Sequence, residues 1–245
     1  MGRSVVLAGA TRCPRCSLPP RWCVCDAIPP VHTHLRVHVL IHRGEQHRPS
    51  STGMLVARVV AGAACHVYQR ETHFFPASGF PIDAREAHQE LWILHPSGDP
   101  LTAHTTAASE SPGPQIVLLD GTWRQAGEML RSVEGLGRCV SLPEAAVAPG
   151  RFWLRDQPAP THLSTAEALL GVFRAVGDDA AERRLRLHFE LHVYATLLSR
   201  GRRELAERYL GLSPLRAELP EFLDRLHARR CRAPNDAATG GPSGP

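Results

Sequence analysis

The sequence predicts an α/β fold on a mainly parallel sheet, preceded by a small cysteine-rich segment. Three observations carry this. Residues 116–119 are a continuous apolar run, Ile-Val-Leu-Leu, that ends in Asp120; a strand buried on both faces reads this way. Strand-like runs alternate with segments whose apolar residues recur at helical spacing, the pattern of βαβ units. Four of the seven cysteines fall between Cys13 and Cys25, ahead of the first strand-like run.

In chain order, residues 11–30 are rich in Cys, Pro and Arg, show no hydrophobic periodicity, and read as a metal knuckle. Residues 35–41 form an apolar strand with polar interruptions, and residues 42–51 are polar. Met54, Leu55 and Val59 recur at helical spacing behind Thr52-Gly53, so a helix is expected to about residue 62. A second strand is expected over 65–69 and a third over 90–95, stopped by Pro96-Ser97-Gly98. After the run at 116–119, Trp123, Ala126, Met129 and Leu130 mark a helix face, and 139–142 is a further short strand. Residues 164–176 read as helical, and 182–210 as a long helix or helical hairpin with a break at Gly201. This divides the chain into a knuckle over 1–30, a main domain over 31–212, a helical extension over 213–232 and a disordered tail over 233–245.

The chain has 245 residues, enough for one domain with a small appendage. Its formal charge is +4, and all 28 basic residues are arginine. Mild basicity favours an anionic partner such as RNA, and each guanidinium is a planar fork suited to phosphate. No apolar run approaches the ~18 residues of a membrane helix. The apolar stretch at residues 5–10 is shorter than the ~7–15 of a signal peptide. A cytoplasmic location is expected, and there seven cysteines argue for metal over disulfides.

Five constellations carry chemistry. Cys13, Cys16, Cys23 and Cys25 are two thiolate pairs separated by six residues. They can fold into a four-sulfur cage with no open position, which suits a structural zinc. A chance thiol cluster, a redox pair and an iron–sulfur cluster are the alternatives. Asp120-Gly121-Thr122-Trp123 follows the carboxyl end of the buried strand, where open α/β sheets bind ligands. Turn, cap and core roles would explain the same residues. His42, Glu45, Arg48 and Thr52 lie in a polar loop after a strand, offering a base, an acid and a guanidinium, or only a solvated loop. In Leu163-Ser164-Thr165-Ala166-Glu167, Ser164 and Glu167 have capping-box spacing; the helix N-terminus is also an anion site. Arginines between Arg183 and Arg208 flank an apolar stripe, as a solvated face or a phosphate track.

Together and in this order, these motifs resemble the DTW-domain family of tRNA-uridine aminocarboxypropyltransferases, the bacterial acp3U-forming enzymes. The matching positions are Cys13/Cys16/Cys23/Cys25, His42/Glu45/Arg48/Thr52, Asp120/Thr122/Trp123 and Leu163/Ser164/Thr165/Glu167/Ala168, with Arg155 in an aromatic-x-Leu-Arg element. Two positions depart from the family: Arg43 stands where proline is usual, and Ser50-Ser51 replaces a Thr-Asn pair. The resemblance implies a SPOUT-like α/β fold with a C-terminal trefoil-type knot. It implies tRNA as partner and S-adenosylmethionine as donor of its aminocarboxypropyl group to N3 of a uridine. It further implies Asp120, Thr122 and Trp123 as catalytic residues, with Leu163, Ser164, Thr165 and Glu167 at the donor. His42, Glu45, Arg48, Thr52 and Arg155 would face the tRNA, and relatives of the fold suggest a homodimer. The rival readings are a SPOUT-type RNA methyltransferase, a non-catalytic zinc-containing RNA-binding module, and the same transfer on ribosomal RNA.

Overall fold

The structure, a computed structural model, describes residues 12–69, 90–101, 113–155 and 162–228. The tail expected over 233–245 lies outside these residues. Five strands form one sheet: β1 (Arg36–His42), β2 (Ala64–Tyr68), β3 (Leu91–Pro100), β4 (Gln115–Asp120) and β5 (Arg138–Ser141). Their order is β2-β1-β4-β3-β5, and every neighbouring pair is parallel. β4 sits at the centre, as its apolar run predicts.

Helices cover both faces, as a parallel sheet requires. On one face lie α1 (Thr52–Val59), α3 (Thr165–Val176) and the 21-residue α4 (Asp179–Ser199). Val37, Val39 and Ile41 of β1 point into this main core with Leu55, Phe173 and Leu191. Leu40, offset by one residue, joins Val117, Ile93 and Met129 in a smaller cluster on the other face. That cluster is covered by α2 (Trp123–Ser132). The period-two switch between faces is what a pleated strand does with alternate side chains.

The long helix read over 182–210 is two helices, α4 and α5 (Arg203–Gly211), broken at Gly201, whose φ of +73 favours glycine. Two further helices, α6 (Leu215–Glu218) and α7 (Pro220–Ala228), place Leu215, Phe222 and Leu226 in the main core. The cysteine segment is tied to α4, where Arg184 and His188 meet the carbonyls of Pro30 and Pro29. Its Leu18, Val24 and Ile28 also join the main core. Among the described residues no helix is long and apolar enough to cross a membrane.

β3 departs from the sequence reading. It does not end at residue 95 but runs to Pro100, with Leu94 and Asp99 both paired with Val140. Residues 95–98 are therefore looped out as a bulge. Pro96 has no N–H for a ladder. Gly98 lies so close to β5 that a Cβ would stand 2.5 Å from the carbonyl carbon of Cys139. β3 pairs with β4 only as far as Leu94 with Leu118, so the last residues of β4 lose that neighbour.

Phe173 is fully buried at the centre of α3. Phe173→Ala is expected to destabilise the protein by about 3–5 kcal/mol, read from urea unfolding at unchanged m-value.

Candidate active site

The gap left by the β3 bulge opens into a cavity of about 680 Å³ at the carboxyl ends of the strands. That is within the ~300–1,000 Å³ typical of small-molecule sites. Leu94, Leu118, Leu142, Val147 and Phe152 give it apolar walls.

Asp120 lines the cavity and is only 7% exposed. Ser51 Oγ donates to its Oδ2 at 2.8 Å, and Thr165 Oγ1 donates to its Oδ1 at 2.5 Å. Ser51 is the N-cap of α1, accepting from Met54 N, and Thr165 is the first residue of α3. Two helix N-termini thus converge on one carboxylate, an arrangement that favours an anion. Gly53 permits the approach: a Cβ there would stand 2.5 Å from Asp120 Cγ. Burial nevertheless pushes the Asp120 pKa up, and the Thr165 and Ser51 hydrogen bonds offset this only in part. A carboxylate so placed is a better proton acceptor than an exposed one.

Thr122 and Trp123 line the cavity beside Asp120. Thr122 caps α2 in a full capping box with Gln125. Trp123 is 48% exposed, a ring offered to solvent rather than to the core. Its ring packs on His162, centroids 4.6 Å apart, and among the described residues the buried His162 Nδ1 has no hydrogen-bond partner. Leu163, Ser164 and Thr165 form the wall opened by α3. Glu167 is not part of that wall. Its buried carboxylate accepts from Ser164 N at 2.8 Å and from the backbone N–H of Arg151.

The polar loop after β1 divides similarly. Thr52 lines the cavity, whereas His42, Glu45 and Arg48 do not. Glu45, 2% exposed, pairs with Arg48 and with Arg155, each at 2.9 Å. It holds Arg155 where that guanidinium lines the cavity. The Thr122 N–H donates to Gln125 Oε1 at 2.8 Å, which orients the amide. Gln125 Nε2 then donates to His42 Nδ1 at 2.9 Å, fastening the loop to α2.

The four cysteine sulfurs lie within 4.8 Å of one another, with Cys13–Cys25 at 3.6 Å and Cys16–Cys23 at 3.7 Å. A tetrahedral zinc with Zn–S of about 2.3 Å has sulfurs about 3.8 Å apart, so the donor set fits that ion. Burial alone would raise the Cys13 thiol, but the N–H groups of Cys16 and Arg15 hold it down to about 6. Burial pushes the Cys25 thiol up, and a bound cation would reverse that. Half-buried Arg58 of α1 donates to Arg15 O at 2.8 Å, and all of Cys16, Cys25 and Cys13 act on its charge.

Sequence reasoning missed Ser51, Gly53, His95 and His162. Ser51 had a local signal, since a serine ahead of a helical pattern is an N-cap. Its contact with Asp120 is a tertiary fact with no local trace.

Two outcomes are expected. Asp120 has its folded-state pKa raised above the unfolded value, so its contribution to stability is present at low pH and lost as pH rises through the folded pKa. Asp120→Asn removes that loss, because both hydroxyl partners can rotate. The variant should melt above wild type at alkaline pH, with the gap closing toward the ordinary carboxylate range in pH-dependent thermal unfolding. Metal analysis of the purified protein should find one zinc per chain. Chelation should lower the melting temperature, because four-ligand zinc sites contribute about 10–16 kcal/mol to folding of the metal-bound state.

Comparison with known proteins places the chain in a family. Three curated relatives are each named tRNA-uridine aminocarboxypropyltransferase 2. The Drosophila melanogaster protein is 29% identical over 64% of this chain and 62% of its own length. The Mus musculus protein is 26% identical over 63% of this chain and 53% of its own. The Macaca fascicularis protein is 23% identical over 63% and 53%. The chain thus spans between half and two thirds of the relatives it matches. No solved structure matches. The sequence pattern of the DTW domain matches residues 10–197, which include the knuckle, the sheet, Asp120 and the α3 N-terminus, and the chain belongs to the DTW-domain family.

Proposed function

We propose that the chain is a tRNA-uridine aminocarboxypropyltransferase, forming acp3U and methylthioadenosine from a tRNA uridine and S-adenosylmethionine. The observation that carries this reading is the buried Asp120 at the floor of an open cavity, flanked by two helix N-termini and an exposed tryptophan. The names of the DTW-domain relatives support the same reaction.

The cavity fits the donor on its own evidence. It has the volume for a nucleoside-sized ligand, apolar walls, a guanidinium at Arg155, and the first N–H groups of α3 at its edge. An α-carboxylate suits either of the last two features. When bound, S-adenosylmethionine supplies the electrophile: its carbon beside the sulfonium takes the N3 electron pair, the C–S pair returns to sulfur, and methylthioadenosine leaves. The chain supplies orientation and proton removal. Asp120 accepts the N3 proton, and its raised pKa suits it to the task. Thr165 and Ser51 fix the carboxylate so that an unoccupied lone pair faces the cavity. Trp123 stacks on a base of the tRNA; such contacts contribute about 1–3 kcal/mol each. Arg48 lies outside the cavity and half exposed, suited to a tRNA phosphate. The all-parallel five-stranded sheet, with its ligand cavity at the carboxyl ends, supports a SPOUT-like reading. The same reading carries a C-terminal trefoil-type knot.

The test is turnover with purified protein, tRNA and S-adenosylmethionine, read by nucleoside mass spectrometry. Wild type should give acp3U. Asp120→Asn should lose at least about 10²-fold in kcat, the lower range for a positioned proton acceptor. A product carrying only a methyl group would replace this reading with a methyltransferase.

A further inference from the structure

The β3 bulge builds a further polar group into the wall of the cavity that Asp120 lines. His95 opens the bulge and lines the cavity. The backbone N–H of Ser97 donates to His95 Nδ1 at 3.2 Å, and Ser97 Oγ lies 2.7 Å from the same nitrogen. A backbone N–H can only donate, so Nδ1 must present its lone pair, and the hydroxyl becomes a second donor to it. The proton of the neutral imidazole therefore sits on Nε2. A charged ring would set an Nδ1–H against the Ser97 N–H, so the loop itself disfavours protonation. Burial acts in the same direction, lowering the pKa. Among the described residues, His95 Nε2 has no hydrogen-bond partner. The donor is also rigidly placed, because Pro96 fixes φ and Gly98 is pressed against the β5 backbone.

The cavity thus offers a proton acceptor, Asp120, and a fixed neutral N–H donor, His95. The imide edge of a uracil is the complement: an N3–H to give and a carbonyl oxygen on either side to accept. Cytosine presents an acceptor at N3 and a donor at N4, so this pair reads the wrong signs. As the N3 proton leaves, negative charge spreads onto the flanking carbonyl oxygen, and a donor already aimed there is worth more than in the ground state.

We propose that His95 is a catalytic and specificity-determining residue that donates its Nε2–H to the carbonyl oxygen O4 flanking N3 of the target uracil. This rests on the aminocarboxypropyl reading above, but three measurements test it separately. In the full-length protein with tRNA and S-adenosylmethionine, His95→Ala should lose about 10²-fold in kcat, the scale of one deleted oxyanion donor. Its melting temperature and its S-adenosylmethionine affinity by calorimetry should stay unchanged. His95→Gln, which keeps an N–H donor, should recover part of the rate. Wild type should bind a tRNA with the target uridine more tightly than one with cytidine there, and His95→Ala should narrow that difference. Wild-type turnover by His95→Ala, or loss of S-adenosylmethionine affinity, would overturn the proposal, the second by moving the contact to the donor. Nitrogen-15 NMR of unsubstituted protein should find the Nε2–H tautomer of His95 near neutral pH, and an Nδ1–H tautomer would also overturn it. If wild type makes no acp3U, the functional reading fails by itself. The tautomer and the uridine–cytidine binding difference then still decide the role of His95.

Discussion

Burying the Asp120 carboxylate at the end of the central strand is the demand around which the fold is arranged. An isolated ion there is strongly disfavoured, so donors must be brought to it. They come from two helices far apart in sequence, Ser51 heading α1 and Thr165 opening α3. Ser51 serves twice, since its oxygen accepts from Met54 N while its hydrogen goes to Asp120. Gly53 is part of the same solution, because any side chain on that turn would occupy the space of the carboxylate. What is left on the other side, where β3 bulges away, is a cavity facing a carboxylate that two hydrogen bonds hold but only partly compensate for burial. That combination holds the carboxylate still without exhausting its lone pairs.

A relay of further buried acids delivers Thr165 to its place. Glu190, 3% exposed, grips the Arg151 guanidinium at 3.0 and 2.8 Å. Arg151 also lies over the Tyr209 ring, 4.3 Å from its centroid. The Arg151 backbone N–H goes to Glu167, whose other oxygen caps Ser164, the residue before Thr165. The chain between β5 and α3 is thereby latched to α4 and α5. Glu45 plays the matching role on the β1 side, holding Arg48 and Arg155. Replacing such pairs by apolar residues is often neutral for stability. Here Glu45 and Glu167 each hold a group that lines the cavity, Arg155 and Ser164, and Glu190 acts one step back through Arg151, so we assign them to geometry.

Much of this was legible in the sequence, and the exceptions share a cause. β4, the break at Gly201, the Thr122 cap and the Ser164–Glu167 capping box follow from local patterns, and each appears where it was expected. Asp120, Thr122, Leu163, Ser164 and Thr165 were singled out from motif positions, and the structure gathers them in one cavity. Glu167 was grouped with them because it shares their motif, yet its side chain turns inward to cap. His95 was invisible because Pro96-Ser97-Gly98 reads as a strand stop. The stop is real for pairing with β4, and only the resumed register with β5 reveals a bulge. Partners separated by tens of residues, such as Ser51 and Asp120, leave no periodicity to read.

The eight-residue α1 joins the two polar centres of the molecule. Its first turn touches Asp120 through Ser51 and Gly53, and its last turn carries Arg58 against the sulfur cluster. At 1.5 Å per residue the helix spans about 12 Å, too far for a metal at the cysteines to touch a ligand at Asp120. A zinc held by four thiolates carries a net negative charge and has no open position, so it has no place for water or substrate. Arg58, which already feels the charge of Cys16, Cys25 and Cys13, would balance that of the metal-bound cluster from within the helix. Held in this way, the knuckle anchors the far end of the element whose near end sets the carboxylate. A metal there would act on the cavity only through the position of α1, as a mechanical support, since four thiolates leave no open position for a Lewis acid role.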